Sequence, residues 1–474
     1  MAETVPGAFD LSSLPQPARR PPPPSPTSCG YSPPVRQPSR PLTSPAGGPP
    51  HHRPPMSDTP SGPPAWLPAS VGAAYRHGTA TDDDLLSGRA LADLTDGLRR
   101  AGAVVVSDRA PAPAVDRAAG FRHLLVLLAL GIDEALRPSD PYDPVFAPAN
   151  VDNVLKWGMD CPDAAYTGAA VRPDATYRIR GHRSTVRYLG FQVMSGIANA
   201  GNVVADDLDI APDGSFEIVV GGPERPGNWM ALADDASSVV VRQFFYDWDT
   251  EAPARLTIEC LTAPDRPGPD RPAPAPDALS PAGVARQLTA IGAFVEASVA
   301  FWLDIEESGR AQGVNLFRPP VTRTDIGGAA ENVTVWGSWE LADDEVLLIE
   351  LRPPEALYWS ISLGNYWWET IDYANHQSSL NGHQAVVDDD GVFRAVVAGR
   401  DPGVANWLDT AGQRHGAMIC RFVRADAAPV PTTRLLTTWQ LDVALPLGTA
   451  RVDAAARADA IARRRAAVRR RFPR

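Results

Sequence analysis

The stretch DGSFEIVVGGPERPGNWMALADDASSVVVRQFF (Asp213–Phe245) recurs later in the chain as DGVFRAVVAGRDPGVANWLDTAGQRHGAMICRFV (Asp390–Val423). Each copy contains an Asp-Gly pair, an alternating segment, a Pro/Gly loop, an Asn-Trp pair and a final segment with an arginine. Repetition within one chain predicts a duplicated fold, and alternation with a period of two predicts β-strands. The repeat therefore predicts two β-sandwich halves.

The Asn-Trp pairs, Asn228-Trp229 and Asn406-Trp407, admit two interpretations. As structural corners, the asparagine would tie the loop backbone and the indole N–H would bond a carbonyl. As functional residues, they would belong to a site. A catalytic site rarely needs two copies, so the pattern favours corners.

Composition divides the rest of the chain. Proline-rich segments cannot bury enough surface to fold, whereas Ser280-Pro281 is typical of a helix start. We predict a disordered tail (1–55), a helical N-terminal region (56–148), a first sandwich unit (149–263), a Pro-rich linker (264–279), a connecting helix (280–309), a second sandwich unit (325–445) and a basic C-terminal helix (450–474). The predicted fold class is mainly β with accessory helices (α+β): duplicated sandwich or jelly-roll-like units joined by a long helix.

Within the N-terminal region, AGAVVVSD (101–108) suggests a short strand, and 121–137 reads as a buried helix. His123 lies on that helix. A single histidine on an apolar helix is more often packed than a ligand.

Charge and cysteine content limit the partners. The net charge of −12 argues against nucleic-acid binding. Of 44 basic residues, Lys156 is the single lysine. The four cysteines are far apart and read as free thiols, and the longest aliphatic run is too short to cross a membrane. We expect a cytoplasmic protein without stable membrane insertion.

Three segments resemble a bacterial domain-of-unknown-function family, number 1214 (DUF1214), sometimes paired with family 1254. They are WGMDCPDAAYTGAAVRPDATYRIRGHRSTVRYLGFQV (Trp157–Val193), NYWWETIDYANHQSSLNGHQAVVDDDG (Asn365–Gly391) and DPGVANWLDTAGQRHG (Asp401–Gly416). With the strands between them they cover most of residues 150–425. The resemblance implies β-sandwich or jelly-roll modules and implies no reaction.

Candidate chemistry concentrates in the second copy, which has polar residues that the first copy lacks. We predict Glu369, Asp372 and His415 as acid/base residues, with Arg414, Trp367, Trp368, Trp407 and Asn381 binding substrate. Glu369 and Asp372 would share a face on a helical turn but oppose each other on a strand. A packed core with a solvated polar loop is the simpler alternative.

A metal site from His376, His383 and Asp409 is a weaker alternative, because the spacing of the histidines matches no familiar ligand motif. No phosphate-binding loop, dinucleotide motif or G-x-S-x-G elbow is present, so we expect no cofactor. The sequence thus predicts a small-molecule-handling protein, a non-redox enzyme of hydrolase, lyase or isomerase type, which could form a homo-oligomer. The alternative is a non-catalytic module that binds a carbohydrate, a lipid or a protein.

Overall fold

The computed structural model describes residues 80–136, 140–148, 152–264 and 280–472. The predicted tail over 1–55, nearly all of the linker over 264–279 and Cys29 lie outside these residues. Six α-helices lie within them: α1 (Asp82–Leu86), α2 (Arg89–Val106), α3 (Ala114–Leu136), α4 (Pro281–Arg310), α5 (Thr438–Ala444) and α6 (Ala454–Arg471). Ser280 caps α4 by accepting a hydrogen bond from the N–H of Gly283, as the sequence predicted.

The strands fall into two groups of nine, one before α4 and one after it. The first group is β1 (Ala147–Pro148), β2 (Ala164–Ala170), β3 (Thr176–His182), β4 (Tyr188–Ser195), β5 (Ala198–Val204), β6 (Ser215–Val220), β7 (Trp229–Met230), β8 (Ser238–Phe244) and β9 (Arg255–Thr262). The second group is β10 (Leu316–Phe317), β11 (Asn332–Glu340), β12 (Glu345–Leu351), β13 (Ala356–Leu363), β14 (Ser379–Asn381), β15 (Phe393–Ala398), β16 (Trp407–Asp409), β17 (His415–Ala425) and β18 (Thr432–Thr437).

The two groups have the same topology. In the first half the sheets have the orders β1-β2-β8-β4-β5 and β7-β6-β3-β9; in the second they have the orders β10-β11-β17-β13-β14 and β16-β15-β12-β18. Each strand thus has its counterpart nine strands later. Pairing is parallel at β6–β7 and at its counterpart β15–β16. The prediction of a duplicated, mainly β fold with a long helix between its halves is confirmed.

The two Asn-Trp pairs form the same corner. The Asn228 side-chain amide donates to the carbonyls of Asp209 and Glu217, and that of Asn406 donates to the carbonyls of Val386 and Arg394. The indole N–H groups of Trp229 and Trp407 donate to the carbonyls of Gly221 and Ala398. Both preceding turns use a glycine with positive φ, at Gly214 and Gly391. These shared contacts support the interpretation of the pairs as corners.

Helices α2, α3 and α4 pack together beside the sheets. α2 and α4 approach closely, since a Cβ atom added to Gly97 would lie 2.6 Å from the carbonyl oxygen of Gly292. α4 is long and apolar enough to cross a membrane, but 61% of its apolar window is buried inside the protein. It is therefore packed as a core helix.

One local prediction was wrong, because residues 101–106 continue α2 instead of forming a strand. Val105 is fully buried in the cluster that joins α2, α3 and α4, and Val104 packs against the same cluster. Burial on a helical face thus overrides the β-propensity of the valine run.

The halves are joined by reciprocal clamps, each built around a carboxylate that immediately precedes a strand. Asp163, before β2, accepts hydrogen bonds from Tyr358 Oη (2.5 Å) and Asn381 Nδ2 (2.8 Å) of the second half. Glu331, before β11, accepts from Tyr188 Oη and from Asn202 Nδ2 (2.7 Å) of the first half. The donors lie on counterpart strands, β4 with β13, or on β5 and β14. The halves therefore contact each other with approximate two-fold symmetry.

Candidate functional site

The halves differ most in the connection between two neighbouring strands. β4 and β5 are joined by Gly196 and Ile197, whereas β13 and β14 are joined by residues 364–378. This connection contains Glu369, Asp372 and His376. Where a duplicated fold departs from its own pattern, a function is more plausible than at shared positions.

Glu369 lies buried at the base of this connection. Its Oε2 accepts a hydrogen bond from Asn365 Nδ2, and its Oε1 lies 3.0 Å from Arg122 Nη1. The Asn365 side-chain oxygen in turn accepts hydrogen bonds from the backbone N–H groups of Trp367 and Glu369. The Arg122 side chain is 56% exposed whereas that of Glu369 is 4% exposed. The ion pair therefore connects a buried carboxylate to solvent.

Lys156 lies close to Glu369 and is only 2% exposed. Its Nζ donates to the carbonyl oxygen of Thr370 at 2.8 Å and lies 4.3 Å from the centre of the Tyr373 ring. Among the described residues, no carboxylate lies within ion-pair distance of Nζ. Burial lowers the pKa of Lys156, opposed chiefly by the charges of Asp160 and Glu369.

Asp160 is a second buried titratable group in this region. Burial raises its pKa to about 6, although the charges of Lys156 and Arg421 favour the carboxylate. Its Oδ1 has no hydrogen-bond partner among the described residues, while its carbonyl oxygen accepts from Thr370 Oγ1 at 2.7 Å. Burial therefore favours the protonated form of Asp160.

His123 completes the group from α3. Its side chain is fully buried, and neither ring nitrogen has a hydrogen-bond partner in the described part of the chain. Burial lowers its pKa, while the charge of Glu369 acts in the opposite direction. A neutral imidazole with two free nitrogens is costly in an interior unless a ligand or water occupies the position.

These residues define what we call the lysine cluster: Arg122, His123, Lys156, Asp160 and Glu369. It contains an amine, an imidazole and two carboxylates, and burial shifts the pKa of Lys156, His123 and Asp160 towards the neutral form. Such shifts are typical of sites that transfer protons.

Asp372 lies at the edge of this cluster. Burial alone would raise its pKa, but hydrogen bonds from Asn375 and Ala374 hold the pKa below its usual value. Its Oδ1 accepts from the N–H groups of Ala374 and Asn375, at 3.0 and 3.1 Å. Asp372 thus caps its own turn, within electrostatic reach of Lys156.

The structure does not bring His415 and Arg414 to the lysine cluster. His415 Nδ1 lies 3.0 Å from Oδ2 of the buried Asp116 on α3. Arg414 is half exposed and pairs with Asp343 at 2.5 Å. The predicted catalytic residues Glu369 and His415 therefore belong to different surroundings.

The predicted tryptophans are packed inside the protein. Trp367 donates to the carbonyl oxygen of Asp116 at 2.8 Å. Trp368 donates to Glu306 Oε2 at 2.9 Å and stacks on Trp302 with ring centres 5.4 Å apart. Trp407 and Asn381 take part in the corner and the clamp described above. Their N–H groups bond other protein atoms.

The three residues of the alternative metal site do not come together either. His376 Nδ1 lies 2.7 Å from Asp409 Oδ2, and this hydrogen bond raises the pKa of His376. His383 is half exposed and lies 3.8 Å from Asp247 instead. Within the described ranges, no three His, Cys, Asp or Glu side chains are grouped as metal ligands.

Sequence reasoning missed four of the five cluster residues, namely Arg122, His123, Lys156 and Asp160. They precede the repeat or lie at its edge, and they meet Glu369 only through tertiary packing. One signal was present, since Lys156 is the single lysine among 44 basic residues.

The family and the solved structures that this chain resembles have no described activity. The model of DUF1214, a protein of unknown function, matches residues 346–427, and the pairing with family 1254 is not shown. A crystal structure of an uncharacterised protein from Burkholderia cenocepacia is 36% identical, with a TM-score of 0.69, and the match covers 77% of this chain and 100% of that one. The VPA0106 protein from Vibrio parahaemolyticus is 12% identical, with a TM-score of 0.39 and coverage of 67% and 99%. No curated protein matches.

Proposed function

This chain belongs to the DUF1214 family, and we propose that it is a small-molecule-handling, non-redox enzyme whose lysine cluster exchanges protons with its substrate. The single observation that carries the proposal is the position of Lys156, buried without a carboxylate partner in the described part of the chain. A buried ammonium without an ion-pair partner is unfavourable, so the neutral amine is favoured. A neutral lysine is a base or a nucleophile.

The roles follow from the contacts. In this proposal Lys156 is the base, Asp160 is the group that can hold a proton, and Glu369 with Arg122 links the buried cluster to solvent. The unpartnered nitrogens of His123 offer hydrogen bonds to a polar group of the substrate. Proton transfer of this kind fits hydrolysis, elimination or isomerisation.

A cytoplasmic location is part of the proposal. Cys161 and Cys420 are buried and form no disulfide within the described part of the chain, which suits a reducing compartment.

The pKa of Lys156 tests the proposal directly, because ¹⁵N-lysine labelling gives one side-chain signal. We expect NMR titration to place that pKa below the usual value of about 10.4, and the signal to vanish in Lys156→Met. A pKa at or above 10.4 would mean that the lysine is a charged structural clamp.

An activity readout separates an enzyme from the alternative binding module. The protein would be incubated with a bacterial metabolite extract in D₂O, and metabolites that change mass or gain deuterium would be sought by mass spectrometry. Wild-type protein should change at least one metabolite, and Lys156→Arg should not, since arginine stays protonated. Retention of a metabolite without any change would favour the binding module.

A further inference from the structure

Helix α6 contacts the long connection between β13 and β14, the segment that contains Glu369 of the lysine cluster. Three arginines of α6 donate hydrogen bonds to alternate residues near the end of this connection. The bonds run from Arg464 to the carbonyl oxygen of Tyr373 (2.9 Å), from Arg465 to Asn375 Oδ1 (2.8 Å) and from Arg457 to Gln377 Oε1 (2.9 Å). Arg464 also donates to Ser379 Oγ in β14, at 2.7 Å. Residues 373–379 are thus held by α6 at every second position.

Tyr373 connects α6 to the lysine cluster. Its side chain is 1% exposed, and the centre of its ring lies 4.3 Å from Lys156 Nζ. Tyr373 belongs to the same apolar cluster as Ala467 and Val468 of α6. Tyr373 therefore contacts α6 through its backbone and the buried amine through its ring.

The buried face of α6 is half cationic. Its four buried residues are Arg457, Arg464, Ala467 and Val468, so apolar burial contributes little to its docking. Arg457 has an ion-pair partner in Asp401 at 3.0 Å, whereas in the described ranges no carboxylate lies within ion-pair distance of Arg464. Burial lowers the pKa of Arg464 to about 10, because the charged guanidinium is removed from water. We therefore expect the carboxyl-terminal half of α6 to detach more readily than the half that contains Arg457.

We propose that α6 is a strap that closes the lysine cluster, and that release of its carboxyl-terminal half gives a substrate access to Lys156. The inference rests on the proposed function in taking the lysine cluster as the site that a substrate must reach. With the strap docked, Lys156 is 2% exposed, so a substrate reaches the amine only after part of the protein moves. Without the bond from Arg464, the backbone at Tyr373 is free to shift and to carry its ring away from Nζ. Arg464 is then a positioning residue, which acts on the amine through Tyr373.

The single lysine allows access to the cluster to be measured chemically. The native full-length protein would be treated with sulfosuccinimidyl acetate, which acetylates neutral amines, and mass spectrometry would give the rates at Lys156 and at the α-amino group. The α-amino group is the internal reference. We expect Arg464→Ala to raise the rate at Lys156 relative to that reference at least about 10-fold, because loss of charge-assisted hydrogen bonds favours local opening. Arg463→Ala, which removes an exposed arginine from the same helix, is the matched control and should leave the ratio unchanged.

Hydrogen exchange separates release of the strap from a general loss of stability. In Arg464→Ala, exchange should become faster in α6 and in residues 364–379 than in the central strands β4, β8, β11 and β17. An unchanged acetylation ratio would overturn the strap. Exchange that is faster by the same factor in the central strands would also overturn it, since Arg464 would then stabilise the whole fold.

The strap and the proposed function can fail separately. A Lys156 pKa below about 10.4 with an unchanged acetylation ratio in Arg464→Ala would support the proton-exchanging site and overturn the strap. An ordinary pKa with a raised ratio would support the strap and overturn the role of Lys156 as a base.

Discussion

Arginine and lysine have different uses in this chain. Arginine is the cation of the surface pairs and of buried contacts such as that of Arg421 with Ser362. Lys156 is the exception, and its position is one that a planar guanidinium with five donors cannot easily satisfy. A lysine can also lose its proton there, whereas an arginine cannot. Its identity therefore fits proton transfer better than charge pairing.

Asp160 gives a prediction about stability and pH. Its folded pKa of about 6 exceeds the value of 3.8 expected without burial, so the folded protein binds the proton more tightly. Folding stability should then fall as the pH rises from about 4 to 6. Asp160→Asn should remove this loss and be more stable than wild type at pH 7.5 by up to about 3 kcal/mol.

Urea unfolding at pH 4 and pH 7.5 measures the difference between variant and wild type. Asp459→Asn, on the exposed face of α6, is the control and should leave the pH dependence unchanged. A difference between Asp160→Asn and wild type that is the same at both pH values would contradict the shifted pKa.

Helix α4 carries one buried carboxylate, Glu306, among apolar side chains. Glu306 is fully buried, and its Oε2 accepts the indole N–H of Trp368. Its Oε1 lies 3.8 Å from Arg310 Nη1 and has no hydrogen-bond partner among the described residues. Burial raises the pKa of Glu306 to about 7, against the opposing effects of Ser338 and Arg310. We therefore expect the contact between α4 and the second half to be most stable when Glu306 is protonated.

Glu306→Gln should keep the bond to Trp368 while removing the titration. Since the folded pKa is raised from 4.5 to about 7, wild type should lose stability across that range and the variant should not. At pH 8 we expect the variant to be more stable by up to about 3 kcal/mol, measured by urea unfolding. Glu307→Gln, which alters a surface pair with Arg109, is the neighbouring control. A variant less stable than wild type at pH 8 would mean that Glu306 is ionised and stabilised by the arginines.

Elements with local signals could be predicted from the sequence, and those fixed by packing could not. Ser280-Pro281 and the two Asp-Gly turns stood where the sequence indicated, because caps and turns depend on a few neighbouring residues. The run at 101–106 was misread because its burial depends on α3 and α4. Glu369 was predicted from the divergence of the second copy. Its partners Lys156 and His123 were not, since nothing in their spacing reports a contact made in three dimensions.

For the whole molecule, the reciprocal clamps explain how two copies of one topology became a single body. Each half supplies a tyrosine and an asparagine to the carboxylate of the other half, so neither half can satisfy these groups alone. The connection between β13 and β14 is much longer than the one between β4 and β5, which pair directly as a hairpin. The long connection is thus the part of the second half that departs most from the repeat. Duplication thus accounts for the frame and divergence for the lysine cluster.

The two clamps should differ in their contribution to stability. Asp163 is 1% exposed and also accepts a hydrogen bond from Trp248 Nε1 at 2.7 Å, whereas Glu331 is half-buried. Asp163→Ala removes the carboxylate acceptor of Trp248 Nε1 and Tyr358 Oη, and one of the acceptors of Asn381 Nδ2, and should lower the free energy of unfolding by about 3–5 kcal/mol. Glu331→Ala should cost about 1–3 kcal/mol, because water can replace part of the carboxylate. Urea unfolding at pH 7 measures both, with Asp174→Ala in an exposed pair with Arg172 as the control. Equal losses, or a greater loss for Glu331→Ala, would show that burial does not set the strength of the clamps.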